Sequence, residues 1–560
     1  MEVKGPFNQV VYQIYPKSFR DTTHNGTGDL VGIIEQLDYL QYLGVDIIWL
    51  TPIYPSPQVD NGYDISDYYT IDPLYGSMGD FENLVDQAHR RNMRIMMDMV
   101  FNHTSTEHPW FIQACDPSSP YHPFYIWREA SANGIPTNWI SKFGGSAWQW
   151  QESAGKYFLH LFSAQQADLN WQHPPVRQAV KAICRFWAAK GVDAFRLDVI
   201  NLISKPSEYR DDLNGDGRRF YTDGPQVHEY LQELNRDVFQ PLGLITVGEM
   251  SSTSLSHCQQ YAAFDHRELT MVFNFHHLKV DYPQGHKWHL ASPDFIQLKQ
   301  IFSHWQQGMH QQANSALFWG NHDQPRVVSR FGDDSRYRVV SAKMLAMLLY
   351  GMQGTPYLFQ GEEIGMTNAG FTDITQYRDI ESLAMYTEHS ARGIPPTQSL
   401  AILATKSRDN SRTPMQWNDE IHAGFSRSAP WIDVNPNYRR INVANAIADP
   451  ESILHTYRAL FRLRKQYEVI QLGDYLDLLP EDPEIWCYRR RWNNQQLLVV
   501  ANLTAKPVEW SPPDFTDRTE FQLLWANYPT VSSIPMTGQL QAYQAAWWLG
   551  IDKESLIKTS

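Results

Sequence analysis

The sequence predicts an α/β protein built on a (β/α)8 TIM barrel, with a B domain inserted after the third strand and a C-terminal antiparallel β-sandwich. Eight short, β-rich apolar runs recur along the chain, and amphipathic helical patterns lie between several of them. The runs are apolar nearly throughout rather than alternating, as strands covered on both faces are. A doubly wound sheet would also satisfy these patterns. The 560 residues exceed what one core holds, because cores stop growing near about 250–300 residues, so a large domain with additions is expected.

The expected strands are VVYQIYP (10–16), VDIIWL (45–50), MRIMMDMV (93–100), VDAFRLD (192–198), LITVGE (244–249), MVFNF (271–275), ALFWG (316–320) and TPYLFQG (355–361). Residues 30–43 set Leu30, Ile33, Ile34, Leu37, Leu40 and Leu43 on one helical face, with Gly44 as the stop. Residues 175–190 repeat the pattern, with Pro175 in the first turn, Val176, Val180, Ile183, Cys184 and Trp187 on the apolar face, and Gly191 beyond. The stretch 104–172 is too long for an ordinary connection and is rich in Trp, Gly, Pro, Asn and Ser, as in NWISKFGGSAWQW, which makes it the inserted B domain. Residues 1–103 and 173–475 are then the barrel. After a long helix at 451–470, runs such as EIWCYRRRW and QQLLVVANL read as a β domain over 476–560.

Composition narrows the function. With 42% hydrophobic residues the chain is globular, and its longest apolar stretch, MLAMLLYGM (344–352), is far short of the roughly 18 residues of a membrane helix. The start of the sequence lacks the features of a secretion signal, so the cytoplasm is the expected compartment. Cys115, Cys184, Cys258 and Cys487 are scattered without zinc spacing and fit a reducing environment. A net charge of −14, from 47 basic and 61 acidic residues, disfavours nucleic acid or an anionic membrane as partner. The expectation is a monomer acting on a small molecule.

Active sites of such barrels sit at the C-terminal ends of the strands. There the sequence places Asp98, Asn102 and His103 (DMVFNH), Arg196 and Asp198 (FRLD), Glu249 (VGEM), and His322 and Asp323 (GNHDQPR). Any one carboxylate alone reads more readily as a cap or turn residue. Together they suit glycoside hydrolysis, which needs a nucleophile and an acid about 5–5.5 Å apart when configuration is retained. Arg196 and Asp198 leave their strand on the same side, and neither could be buried cheaply alone. Arg196 is expected to lower the proton affinity of Asp198 so that it attacks the anomeric carbon. Glu249, after the apolar ITV, should keep a raised pKa and protonate the leaving oxygen, while Asp323 binds sugar hydroxyls.

These blocks, with QADLNW at 166–171, closely resemble those of the alpha-amylase family of glycoside hydrolases. The resemblance implies a retaining double displacement with Asp198 as nucleophile, Glu249 as acid/base and Asp323 as transition-state stabiliser. It further implies a glucose pocket of Asp60, Tyr63, His103, Arg196, His322 and Arg412. Phe143 and Phe162 resemble its aromatic walls, core packing being the other reading. QADLNW and SRDNSRTPMQW resemble the exo-acting alpha-glucosidase branch, whose pocket is closed at one end. Within it, VGEMSSTSL, FNFHHLKVDYP and SRFGDDSRYRV resemble members that split a phosphorylated α,α-1,1-linked disaccharide into glucose and glucose 6-phosphate. An oligo-1,6-glucosidase or general alpha-glucosidase on short neutral alpha-glucosides is the alternative.

A dianionic phosphate in so acidic a chain must meet local cations, and Lys279 and Lys287, in HHLKVDYPQGHKW after the sixth strand, are the candidates; a solvated loop is the other reading. No cofactor is expected for the chemistry. DTTHNGTGD, with Asp21, Thr23, Asn25, Thr27 and Asp29, resembles a calcium loop in which Thr23 and Asn25 replace two of the usual oxygens, and it offers a structural Ca²⁺ or Mg²⁺.

Overall fold

Each of the eight runs contains a strand: β1 (Val11–Ile14), β2 (Ile47–Leu50), β3 (Arg94–Val100), β4 (Ala194–Asp198), β5 (Ile245–Glu249), β6 (Met271–Phe273), β7 (Ala316–Leu317) and β8 (Thr355–Phe359). They come from a computed structural model that describes residues 6–132, 134–265, 267–511, 520–528 and 538–551. Neighbours in the order β6-β5-β4-β3-β2-β1-β8-β7 are all parallel. A parallel bridge between Val272 in β6 and Ser315 just ahead of β7 brings the two ends of the sheet together as a barrel. The doubly wound alternative is thereby excluded.

The helices follow their sequence signals closely. The expected 30–43 helix forms as α1 (Leu30–Glu35) and α2 (Leu37–Leu43), broken at Gln36, whose φ and ψ of −105° and 6° leave the helical region. Asp29 caps α1 by accepting from the Gly32 N–H, and Gly44 ends α2 at φ 98°, a conformation open to glycine. Ser77 and Asp80 form a reciprocal capping box at the start of α3 (Met78–Arg90). The next long helix, α4 (Pro174–Ala189), begins on proline and buries Val176, Val180, Ile183, Cys184 and Trp187.

The insertion after β3 carries a three-stranded antiparallel sheet of Trp127–Arg128, Lys156–Leu159 and Trp148–Gln151. A second pair, His103–Ser105 with Gln166–Asp168, ties it to the barrel rim. Trp139, Trp148, Leu159 and Leu161 share one core with Val199, Leu202 and Tyr221 from the chain beyond β4. The insertion is therefore seated directly on the segment that follows Asp198.

Helix α5 (Arg338–Tyr350) is buried along most of its length, packed against both α6 (Ile453–Gln466) and the C-terminal sheet. That sheet has five antiparallel strands, and its Ile485, Cys487, Leu498, Val500 and Trp548 pack on Val508, Trp510 and Leu540 of a separate strand pair. The last part of the expected β domain, 552–560, lies outside the described residues. Buried Arg464 in α6 donates to the carbonyls of Tyr350, Met352 and Gly354, and buried Arg490 to those of Gly351, Ile470 and Gly473. Tyr488 Oη donates to Leu348 O at 2.7 Å, and Trp547 Nε1 to Met347 O at 3.0 Å. The four cysteines are free thiols. Among the described residues no helix is long and apolar enough to cross a membrane.

Candidate active site

Parallel pairing of β3 with β4 sets Asp98 beside Arg196, and pairing of β4 with β5 brings Glu249 next to them at the same end of the barrel. Arg196, 1% exposed, gathers three carboxylates. Its Nη1 donates to Asp98 Oδ1 at 2.7 Å and to Asp198 Oδ1 at 2.6 Å, and its Nη2 pairs with Glu249 Oε2. Asp198 and Glu249 are thus held side by side on one guanidinium. Immediately after Asp198, Val199 holds φ 35°, unfavourable for a β-branched residue, at a cost of about 1–3 kcal/mol. This left-handed turn lets the chain leave the strand end sharply, and it aims the Val199 N–H at Glu249 Oε2, 3.4 Å away.

Burial is the largest influence on these carboxyls. It raises Glu249 to about 8 against the pull of Arg196, with Asp198 adding to the rise. It also raises Asp198 to about 6, with Arg196 opposing and Asp98 reinforcing. Arg196 thus lowers Asp198 as the sequence suggests, but the loss of solvent outweighs it. The order is what matters for chemistry: near neutrality Asp198 is ionised while Glu249 keeps its proton.

A second cluster faces the first. Arg412 Nη2 lies 2.8 Å and Arg408 Nη1 3.2 Å from Asp323 Oδ1. Burial would raise Asp323, and His322 is itself neutral, pushed down to about 3 by burial; Arg408 and Arg412 are the charges that hold Asp323 well below the usual carboxylate range. Gln13 Nε2 stands 2.8 Å from His322 Nδ1, so the ring that accepts there carries its proton on Nε2, 3.3 Å from Asp323 Oδ2. Nε2 makes no hydrogen bond of its own, which leaves a donor for a sugar hydroxyl. Arg408 also reaches Asp60 Oδ1 at 3.2 Å and Asp379 Oδ1 at 2.5 Å.

Tyr63 closes the floor, stacked on His322 at 5.1 Å between ring centroids, its hydroxyl donating to Asp98 Oδ2 at 3.0 Å. His103, lowered to about 4 by burial, lies 3.0 Å from Tyr63 O through Nε2 and packs on Phe162, which packs on Phe143 beneath Arg408. Thus Asp198, Glu249, Asp323, Asp60, Tyr63, His103, Arg196, His322, Arg412, Phe143 and Phe162 form one connected cluster at the C-terminal end of the strands. Sequence reasoning gives no pocket role to four further members: Asp98, Arg408, Asp379, and Gln166, whose Nε2 donates to Asp60 Oδ2 at 3.2 Å.

Of the remaining candidates, Lys287 reaches the second cluster through Glu381, whose Oε2 lies 3.6 Å from Arg408 Nε. Lys287 Nζ is paired with Glu381 at 2.5 Å, whereas Lys279 has no ion-pair partner among the described residues. In the 21–29 loop both Asp21 oxygens are occupied, Oδ1 by His24 N–H and Thr23 Oγ1, and Oδ2 by Gly26 N–H and Ser426 Oγ. Asp29 accepts from the N–H groups of Thr22, Thr23 and Gly32 and from Thr22 Oγ1. The lone pairs a cation would need are turned to donors, and Asn25 Oδ1 is taken by the Thr27 N–H, so the loop in this arrangement does not fit a metal.

Residues 13–473 match the family model described as the alpha amylase catalytic domain, and residues 477–547 that of the maltogenic amylase C-terminal domain. A trehalose-6-phosphate hydrolase of Escherichia coli is 60% identical over 97% of this chain and 98% of its own. An oligo-1,6-glucosidase of Halalkalibacterium halodurans is 46% identical over 97% and 98%. Among solved structures, a trehalose-6-phosphate hydrolase of Bacillus licheniformis superposes with a TM-score of 0.95 at 52% identity, over 98% of this chain and 100% of that one.

Proposed function

Because the chain belongs to the alpha-amylase family of glycoside hydrolases, we propose that it hydrolyses trehalose 6-phosphate to glucose and glucose 6-phosphate with retention at the reacting carbon. The observation that carries the chemistry is the Asp198–Arg196–Glu249 cluster. Because one buried guanidinium bonds both carboxyls, they are held close together, as retention requires, rather than at the wider spacing that leaves room for inversion's attacking water. The substrate assignment rests on the relatives, the more similar ones being named trehalose-6-phosphate hydrolases and the less similar ones oligo-1,6-glucosidases.

In the first step Asp198 attacks the anomeric carbon of the glucose ring held by Asp60, Tyr63, His103, His322 and Arg412. Glu249 gives its proton to the bridging oxygen, the glycosidic C–O bond breaks and glucose 6-phosphate leaves. Glu249, now ionised, takes a proton from water, whose oxygen attacks the same carbon and releases Asp198. Asp323, kept anionic by two arginines, hydrogen-bonds ring hydroxyls as positive charge develops. The neutral His322 Nε2–H adds a donor without placing a cation beside the oxocarbenium-like ring.

The protonation order fixes the pH dependence. Asp198 loses nucleophilicity as pH falls through about 6, and Glu249 loses its proton as pH rises through about 8. A plot of kcat/KM against pH is expected to be bell-shaped with limbs near those values; an acid limb near 4, where an unperturbed carboxyl titrates, would contradict it.

The substrate is tested by offering purified enzyme trehalose 6-phosphate, trehalose, isomaltose and maltose separately and following glucose release. The phosphorylated sugar should exceed the others in kcat/KM by at least about 100-fold, the worth of one or two charge-assisted contacts. Equal or better turnover of isomaltose would favour the oligo-1,6-glucosidase reading. The reading includes a monomer and needs no cofactor for the chemistry; a cytoplasmic setting is supported by four cysteines that stand as free thiols.

A further inference from the structure

Glu249 is the last residue of β5, and the strand pairing that holds it stops there. On one side the β4–β5 ladder runs only to Leu197 beside Gly248, because the chain leaves β4 in the left-handed turn at Val199. On the other, Glu249 pairs with Phe273 in β6, and the Met250 N–H donates to Phe273 O at 3.3 Å. Ser252 then takes φ 56°, a second left-handed turn, and leads into a helix at Leu255–Tyr261. A strand end of this kind frays unless something else pairs it. The acid it bears must come within a hydrogen bond of one oxygen.

Asn201 supplies the missing partner. It is buried in the turn Ile200–Leu202 that follows Asp198 and Val199. Its Oδ1 accepts from the Ser251 N–H at 2.9 Å, and its Nδ2 donates to the Ser251 carbonyl at 3.0 Å. One amide group thus bonds both backbone polar atoms of a residue two positions past the acid, as a neighbouring strand would. Among the described residues no other group bonds the Ser251 backbone. Nδ2 also donates to Asp223 Oδ1 at 3.0 Å, and the Asp223 N–H returns to Asn201 O at 3.0 Å. Asp223 Oδ1 accepts in turn from Tyr261 Oη at 2.7 Å. Both ends of the 251–261 segment are therefore tied to the Asn201–Asp223 pair. With the Val199 N–H 3.4 Å from Glu249 Oε2, the turn after the nucleophile grips the acid at its carboxyl and, through Ser251, at its backbone.

We propose that Asn201 is a positioning residue for the general acid, standing in for the strand pairing that the turn at Val199 interrupts and so fixing Glu249 relative to Asp198 and the leaving oxygen. This rests on the acid role given to Glu249 above, and not on which sugar departs. The residue type is specific to the task. Aspartate has no donor for the Ser251 carbonyl and would set a second charge against Asp223, glutamine is one methylene too long for the same two bonds, and an apolar side chain would leave both Ser251 groups unpaired.

The test measures kcat/KM on a series of aryl α-glucosides, from p-nitrophenyl to phenyl, in wild type, Asn201→Ala, Asp223→Ala, Asp223→Asn and Glu249→Gln, with thermal melts to verify folding. The poorer the leaving group, the more bond breaking depends on a well-placed acid. In Asn201→Ala the phenyl glucoside should lose about 30-fold and the p-nitrophenyl glucoside no more than about threefold. Asp223→Ala should show the same trend more weakly. Asp223→Asn, which keeps an oxygen for both donors and tolerates the φ of 49° at that position, should return to within about threefold of wild type on every substrate. The alkaline limb of kcat/KM in Asn201→Ala should also move to lower pH, since a loosened acid is less shielded from water and burial is what raises it. Equal losses across the series in folded Asn201→Ala, or none, overturn the proposal; if Asn201→Ala does not fold, a uniform response in Asp223→Ala overturns it instead. Glu249→Gln should show the steepest dependence of all, and a flat response there overturns the acid assignment itself.

Discussion

Asp198→Ala should lose about 10⁵-fold in kcat on every α-glucoside, the largest effect of any single substitution considered, because the covalent intermediate can no longer form. The fold should survive: Arg196 keeps Asp98 and Glu249 as partners, so no buried cation is left alone. Removing the carboxylate also removes one of the charges that raise Glu249, so the alkaline limb of any residual activity should move to lower pH. With p-nitrophenyl α-glucoside, added azide should restore turnover and yield the β-glucosyl azide, since the small anion attacks from the face that Asp198 vacated. Activity within tenfold of wild type, or an azide product of retained configuration, would remove Asp198 from the nucleophile's role.

Glu249→Gln should lower kcat on trehalose 6-phosphate about 10³-fold, the usual worth of general acid–base assistance. The glutamine can still bond Arg196 through its carbonyl oxygen but has no proton to give. On p-nitrophenyl α-glucoside, whose phenolate leaves unaided, the first step should be far less affected while the second is slowed, because water has lost its base. The expected signature is a burst of p-nitrophenol equal to the enzyme present, followed by a slow steady state that azide accelerates to give the α-glucosyl azide. Equal losses on both substrates, with no burst, would assign Glu249 a positioning role instead.

Much of the fold and part of the site are legible in the amino-acid sequence. The eight strands are visible because strands sealed on both faces must be apolar throughout, and Arg196, Asp198, Glu249 and Asp323 stand out as charges terminating such runs. Asp98 carries the same signal within RIMMDMV, and strand pairing alone sets it opposite Arg196. Arg408, four residues before Arg412 and beside the same short helical stretch, is open to the same reasoning. Asp379 is not. A charged residue before a helix or in a polar loop is the ordinary case, so neither its type nor its spacing distinguishes one that reaches the pocket. The break at Gln36 is likewise hidden, since the apolar period continues unbroken across 30–43.

The two buried guanidiniums of Arg464 and Arg490 decide how this protein can be cut. Six carbonyls between Met347 and Gly354, at the end of α5 and just ahead of the last stave, find their donors in Arg464, Tyr488, Arg490 and Trp547, and three of those four residues lie beyond position 475. Removing the module would take away the side-chain donors of Leu348 and Gly351 and one of the two donors of Met347, leaving those carbonyls to be paired by water. The C-terminal module is in that sense a structural lid on the underside of the enzyme's own framework, and exchange of modules between relatives would have to carry these arginines and their acceptor turn together.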